Sequence, residues 1–444
     1  MRAWVLSMAT LWSLAGCREL AGIKDLGPDG GDRLQLELAL VGDGLGHVHA
    51  VLAPGDSFDC PPDCTIPLRE GGEVRLTATT RNGEDSLWNG WDSPLCEGAR
   101  NQCMFTLSES QRVGVRFIRA QHNVIFVSSR QVPADLGGLA PYDAICNELA
   151  SAAGINSASG LGFVAWLSLP QVSASERLQG ARGFIRSDGL PVANVLTEPR
   201  SGLLYPVTLD EERSPAGEDE VLTGTTALGT PGRSCTSFTS NLRTESAEGG
   251  RVGDGPALWT SGIGAGCALS HRLYCVGLGK SATLAPQPSD GKLIFLSSAG
   301  FRSGLGAGLA DELCEREKPP AQASATFRAL LSTVAAPATR WLLPEQMYVR
   351  LDGTRVGSGA ALTSGMLESG VWQTGTGDYV TDARLVATGG VADEIPADGS
   401  GATCADWSSP TGVHHAGEAN RIHRWWASVK ASCDASFSVY CVQQ

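Results

Sequence analysis

The segment NVIFVSSRQVPADLGGLAPYDAIC, residues 123–146, is answered by KLIFLSSAGFRSGLGAGLADELC, residues 292–314. Ile125-Phe126-Val127-Ser128-Ser129 matches Ile294-Phe295-Leu296-Ser297-Ser298, and Asp143 stands three before Cys146 as Asp311 does before Cys314. Further out, Leu167-Ser168 matches Leu331-Ser332, Asp188-Gly189 matches Asp352-Gly353, and Trp259 and Tyr274-Cys275 recur as Trp425 and Tyr440-Cys441. Phe238 comes three after Cys235, as Trp407 does after Cys404. The cysteines keep one ruler. Successive intervals are 89, 32 and 8 along Cys146, Cys235, Cys267 and Cys275, and 90, 29 and 8 along Cys314, Cys404, Cys433 and Cys441. A repeated unit of about 150 residues is too long for a solenoid and reads as duplication of a whole domain. The copies occupy residues 123–277 and 292–444. Between them, 278–291 is a Gly- and Pro-containing linker.

Each copy opens with an apolar strand, enters a helix carrying its first cysteine, passes a second apolar strand (163–169; 327–333) and runs through long Gly/Asp/Ser-rich loops to a strand ending at its last cysteine. Upstream, LQLELAL, HVHAVL, EVRLTATT and RVGVRFI alternate apolar and polar residues between Gly-rich turns, so 33–119 reads as a small β-sandwich or sheet. Trp88 and Trp91 there read as core. The expected fold class is α+β: a small all-β domain followed by two homologous domains.

Composition bounds the function. At 444 residues the chain suits two to four domains. With 42% hydrophobic and 18% charged residues it is globular, a composition that excludes disordered and collagenous chains. Its 55 Gly and 23 Pro favour turns and strands. A net charge of −13 argues against nucleic acid as a partner, because such binding wants a basic face. Thirteen cysteines point to an oxidising compartment.

The amino terminus carries Arg2 and then the apolar run AWVLSMATLWSLAG. Crossing a bilayer takes about 20 residues. The run is shorter and reads as a signal peptide over 1–16. Leu14-Ala15-Gly16-Cys17 resembles the bacterial lipobox. The resemblance implies cleavage before Cys17, covalent lipid on that residue as the one attached group, and residence in the bacterial envelope. By the same analogy, Arg18 in place of Asp favours the outer membrane. Residues 17–32 read as a tether.

With Cys17 given to lipid, twelve cysteines remain for disulfides, and four of them in a domain allow three connectivities. The opening Ser128-Ser129 with Leu136-Gly137-Gly138, the run AWLS (165–168), the Asp-Gly turn and the terminal Leu273-Tyr274-Cys275 resemble the endostatin-like and leptospiral lipoprotein branch of the C-type-lectin-like fold. That resemblance implies pairing of Cys146 with Cys275, Cys235 with Cys267, Cys314 with Cys441, and Cys404 with Cys433. The first domain, with CPPDC, GGEVRLTA and WNGW, resembles a bacterial surface repeat module, which implies local bridges Cys60 to Cys64 and Cys96 to Cys103.

Catalytic and metal signatures are sparse. Lectin-type Ca2+ binding needs a Pro-containing carboxylate loop and a Trp-Asn-Asp run, because Ca2+ wants six to eight oxygens. The stretches before Cys267 and Cys433 lack that run. His414, His415 and His423 with Asp406 could suggest zinc, but read better as solvated loop residues, and no metal is expected. Gly277 to Ser281 mimics the end of a phosphate loop without its first glycine. Asp378 and Asp382 could do acid/base work only in a pocket that raises one pKa. No catalytic residue is assigned. Trp426, whose counterpart is Thr260, is the expected exposed contact, since Trp is enriched in binding hot spots. The expected function is a lipid-anchored, non-catalytic binding or adhesion module for an extracellular protein or glycan. The alternatives are an envelope enzyme using loops 190–234 or 354–403, and a purely structural component.

Overall fold

A computed structural model describes residues 33–61, 64–69, 71–80, 86–97, 101–119, 121–155, 162–196, 202–390 and 402–444. The signal peptide, Cys17 and the tether over 17–32 lie outside the described residues. Within them, twenty-eight strands form eight sheets, against three right-handed α-helices, of which the longest has thirteen residues. The expected α+β class is therefore corrected: the chain is mostly β. The physical reason lies in the long loop regions, whose frequent Gly and Pro favour turns and short strands. Each copy keeps one helix of more than two turns, Ala140–Ala152 or Gly308–Glu317.

The first domain is a sandwich of two four-stranded sheets. One runs Thr65–Arg69, Arg33–Val41, Gln111–Arg119, Ser86–Asp92, and the other Ser57–Cys60, Gly46–Leu52, Glu73–Thr80, Gln102–Thr106. Alternation in Glu73–Thr80 and Gly46–Leu52 turns every second side chain inward. Leu36, Val48, Val74, Leu76 and Val113 are fully buried between the sheets.

Both later regions repeat one topology. A five-stranded sheet has the order Phe163–Ala165, Tyr274–Gly277, Asn123–Val127, Phe184–Arg186, Pro191–Ala193, and its counterpart is Phe327–Ala329, Tyr440–Gln443, Lys292–Leu296, Met347–Val349, Arg355–Ser358. A three-stranded sheet, Glu220–Leu222, Ser246–Arg251, Ile263–Gly266, is answered by Leu385–Ala387, Val413–Glu418, Val429–Ser432. Every residue of Asn123–Val127 is buried, as expected of a central strand covered on both faces. The spacing of Asp143 and Cys146 has a structural use, because residues one helical turn apart share a face. Cys146 is bonded to Cys275 in the strand beside the central one, while Asp143 accepts the Ala165 N–H at 2.9 Å and pairs with Arg177 at 2.6 Å. Asp311 does the same for Ala329 at 2.8 Å, with Arg328 at 3.2 Å. The helix thus satisfies the edge strand of its own sheet.

Six disulfides cross-link the described residues: Cys60–Cys64, Cys96–Cys103, Cys146–Cys275, Cys235–Cys267, Cys314–Cys441 and Cys404–Cys433.

The two copies meet about a local two-fold. Gly255 N–H donates to Asn420 O at 2.7 Å, and Ile422 N–H donates to Gly253 O at 3.3 Å; 255 corresponds to 422 as 253 does to 420. Asp254 and Arg421 face each other at the centre, an isologous contact of the kind a homodimer makes between separate chains. Around it a single buried cluster draws on both copies, including Trp166, Trp259, Trp372, Trp425 and Trp426. Trp372 Nε1 donates across the seam to Leu203 O at 2.9 Å, and the fully buried Arg350 reaches Leu204 O at 3.1 Å.

Candidate functional site

The residues singled out by sequence do not converge. Trp426 is fully buried, so its expected role as an exposed contact is corrected. Its ring packs on Trp425 at a centroid distance of 5.3 Å, and the main chain of Gly390 leaves the room it occupies: a Cβ there would meet the indole at 2.2 Å. His414 is a strand residue rather than a solvated loop residue. It is 1% exposed and lies between the rings of Trp407 and Phe437, at 5.1 and 4.9 Å, and burial lowers its pKa. His415 is its neighbour in the same strand, so the two rings point to opposite faces. The Asp406 carboxylate accepts the Val334 N–H at 2.6 Å. Asp378 bonds the Thr376 hydroxyl at 2.7 Å and Asp382 pairs with Arg384 at 3.2 Å. Trp88 and Trp91 contact each other edge to face at 6.2 Å, with the Arg213 guanidinium 4.4 Å over Trp88.

What the fold does bring together is a groove where the first domain, both copies and the linker meet. It has a volume of about 530 Å³. The first domain supplies Ile118 and Arg119 from the end of its last strand, and His122 follows after the turn into the first copy. That copy adds Ile185, Leu190, Pro191 and Tyr205; the linker adds Leu284, Ala285 and Pro286; and the second copy adds Arg355.

The linker wall is held in place. Asn123 accepts the Lys280 N–H at 3.0 Å and donates to Lys280 O at 2.9 Å, the Leu284 N–H donates to Asn194 at 3.0 Å, and the Ser289 N–H donates to Gly353 O at 2.9 Å. The Asp-Gly turn of the second copy completes the last contact. Gly353 has φ +77°, and an added Cβ would strike Pro288 at 2.4 Å. The position therefore needs glycine twice over, for its left-handed backbone and for the close approach.

Opposite the linker, the Tyr205 hydroxyl accepts the Arg355 N–H at 3.1 Å, and the Arg355 guanidinium pairs with Glu368 at 2.8 Å. Burial works against the charge on Arg355, but the Glu368 carboxylate and the Tyr205 hydroxyl outweigh it, so its pKa is raised. Arg119 forms no ion pair among the described residues, its main-chain N–H donating to Asp43 at 3.0 Å. The buried Nδ1 of His122 has no hydrogen-bond partner among them. None of the lining residues is Asp or Glu. Chemically the groove can hold an apolar body and attract an anion; it presents no nucleophile paired with a base.

These residues come from four separate parts of the chain and form no motif. The only sequence signal was the pair Leu284 and Pro286 in a stretch read as a boundary. No protein-family model matches the chain, and no curated protein is significantly similar to it.

Proposed function

We propose that the chain is a lipid-anchored envelope protein, attached through Cys17, in which the first β domain is a spacer and the joined copies form a non-catalytic binding module whose ligand surface is the three-way groove. The observation that carries the reading is that groove, with its volume of about 530 Å³. Ligand sites usually measure about 300 to about 1000 Å³ and concentrate at domain junctions, as this one does. Six disulfides are compatible with export, where an oxidising environment preserves them. Among the described residues no helix is long and apolar enough to cross a membrane, so attachment by an acylated Cys17 supplies the anchor in this reading.

Two experiments test it. Radiolabelled palmitate should enter the wild-type chain and not Cys17→Ala; label persisting in the variant removes the anchor. A chain starting at residue 17 and carrying Cys17→Ser should bind members of glycan, matrix-protein and small-amphiphile panels without consuming them. Turnover of any panel member would replace the binding reading with an enzymatic one.

A further inference from the structure

Resting on the groove as the binding surface, its chemistry narrows the ligand. The walls are apolar, formed by Ile118, Ile185, Leu190, Pro191, Leu284 and Pro286, of which Ile185 is buried and the rest are partly or fully open. Apolar walls of this kind favour removal of a hydrocarbon from water, because burying apolar surface is favourable in proportion to the area covered. Along the same lining stand Arg119, His122 and Arg355 with no carboxylate among them, in a chain whose net charge is −13. Two guanidinium groups on a lining that holds no carboxylate of its own, one of them with no ion pair among the described residues, are a local reversal of charge in a strongly acidic protein, and a guanidinium matches a carboxylate in both charge and fork geometry. Arg355 is already oriented by Glu368 and Tyr205, which leaves Arg119, exposed and without an ion pair among the described residues, as the group with most to gain.

We propose that the groove takes a small free anion with an apolar body, of the class of a medium-chain carboxylate, its chain lying along the linker wall and its charge toward Arg119 and Arg355. A neutral glycan would leave the Arg119 guanidinium unanswered, and a cation would meet both arginines as like charges.

The test titrates dodecanoate, below its self-association threshold, into the Cys17→Ser chain from residue 17 and follows heat or intrinsic fluorescence. Dodecyl maltoside, dodecyltrimethylammonium and acetate serve as controls, and phosphatidylglycerol vesicles report on a bilayer source. One-to-one binding of dodecanoate is expected, at least tenfold tighter than any control. Arg119→Gln with Arg355→Gln should weaken it tenfold or more, and Ala285→Trp, which places a large ring in the groove from an exposed linker position, should abolish it. Unchanged thermal transitions and near-ultraviolet spectra keep the variants interpretable. Equal binding of the neutral amphiphile, unaffected by the arginine pair but blocked by Ala285→Trp, would overturn the anion assignment and leave the groove as a binding surface. Capture by vesicles that Ala285→Trp blocks would overturn the free ligand in favour of a bilayer lipid. Absence of binding by every probe, or indifference to Ala285→Trp, would overturn the groove reading itself.

Discussion

The two copies each bury a second indole beside their shared tryptophan, but supply it from different positions in the chain. In the first, Trp166 follows the edge strand, stacks on Trp259 at 5.2 Å and donates through Nε1 to the Thr260 hydroxyl at 2.9 Å. In the second, Leu330 stands where Trp166 does, and the second indole is Trp426, in the place of Thr260. A third position completes the exchange. Thr225 of the first copy corresponds to Gly390, and Gly390 is what admits the Trp426 ring. The common frame is marked by Thr223 and Thr388, whose hydroxyls donate to Thr260 O and Trp426 O at 2.5 Å each. Close packing fixes the volume to be filled at each place and leaves open which strand fills it. A difference that looks like a functional novelty in one copy is here half of a packing exchange.

The largest effect that would break this comparison concerns the disulfides. The outer bridges span 129 and 127 residues and the inner ones 32 and 29. By loop entropy the outer pairs contribute about 5 kcal/mol each and the inner about 3.6 kcal/mol each. Double replacement by Ala of Cys146/Cys275 and of Cys314/Cys441, followed by urea unfolding, should therefore cost the same in both copies and exceed the inner pairs. A large inequality between the copies would mean that they are not equivalent as folding units.

The tryptophan exchange comes next. Trp166→Leu should cost about 2–4 kcal/mol by leaving a void and removing the hydrogen bond that the Thr260 hydroxyl accepts, and Thr260→Trp alone about 1–3 kcal/mol by overpacking. The triple variant Trp166→Leu, Thr225→Gly, Thr260→Trp copies the second arrangement into the first, and should recover at least about 1 kcal/mol relative to the sum of its parts. Strict additivity in denaturant midpoints would show that the correspondence is coincidental.

At the local two-fold the copies differ in charge, Asp254 against Arg421. Asp254 is 3% exposed, its Oδ2 has no hydrogen-bond partner among the described residues, and Arg421 stands 3.7 Å away while also meeting Glu418 at 2.7 Å. Burial pushes the Asp254 pKa up to about 7, against the pull of Arg421 and Arg251. A raised carboxyl means that the native state holds the proton longer than the unfolded chain. This contribution therefore favours folding at low pH and declines as pH rises from about 4 to about 7, by at most about 1.4 kcal/mol per pH unit. Asp254→Asn should flatten stability across that window, measured as urea midpoint against pH. A wild-type slope of opposite sign for this group would break the assignment.

The smallest effects lie in the turns before the three-stranded sheets. Gly377 has φ +88° with nothing within 4 Å of an added Cβ, while its counterpart in the first copy is Arg213 at φ +66°. Gly377→Ala should cost about 1–2 kcal/mol from backbone conformation alone. Arg213→Gly relieves that strain but loses the cation–π contact with Trp88. Thermal stability should then change by less than about 1 kcal/mol. A larger loss would make Arg213 a principal link between the first domain and the first copy.

Much of this architecture was legible in the residues. Alternation in 33–119 marks strands because side chains in a strand face opposite sides in turn. The Asp-to-Cys spacing marks a helix face, and the even set of twelve cysteines marks a cross-linked chain. The class was misread because one helix per copy is conspicuous in sequence, whereas short strands scattered through Gly-rich loops have too little periodicity to register. Trp426 was misread because the room for its ring is left by Gly390, far upstream of it in the chain.

By itself the chain determined its local segments: which stretches extend, where turns fall, which acid and cysteine share a helix face, and that a ruler of cysteines repeats. Only the tertiary structure decided where those segments meet. It holds Cys235 to Phe238 and Cys404 to Trp407, none of them glycine, in left-handed conformation. A disulfide and a buried aromatic ring pin each turn against that backbone cost. It also placed Asp254 against Arg421 and assembled a groove from four separate parts of the chain. Local conformation follows from neighbours in sequence, whereas burial and the pairing of charges follow from neighbours in space.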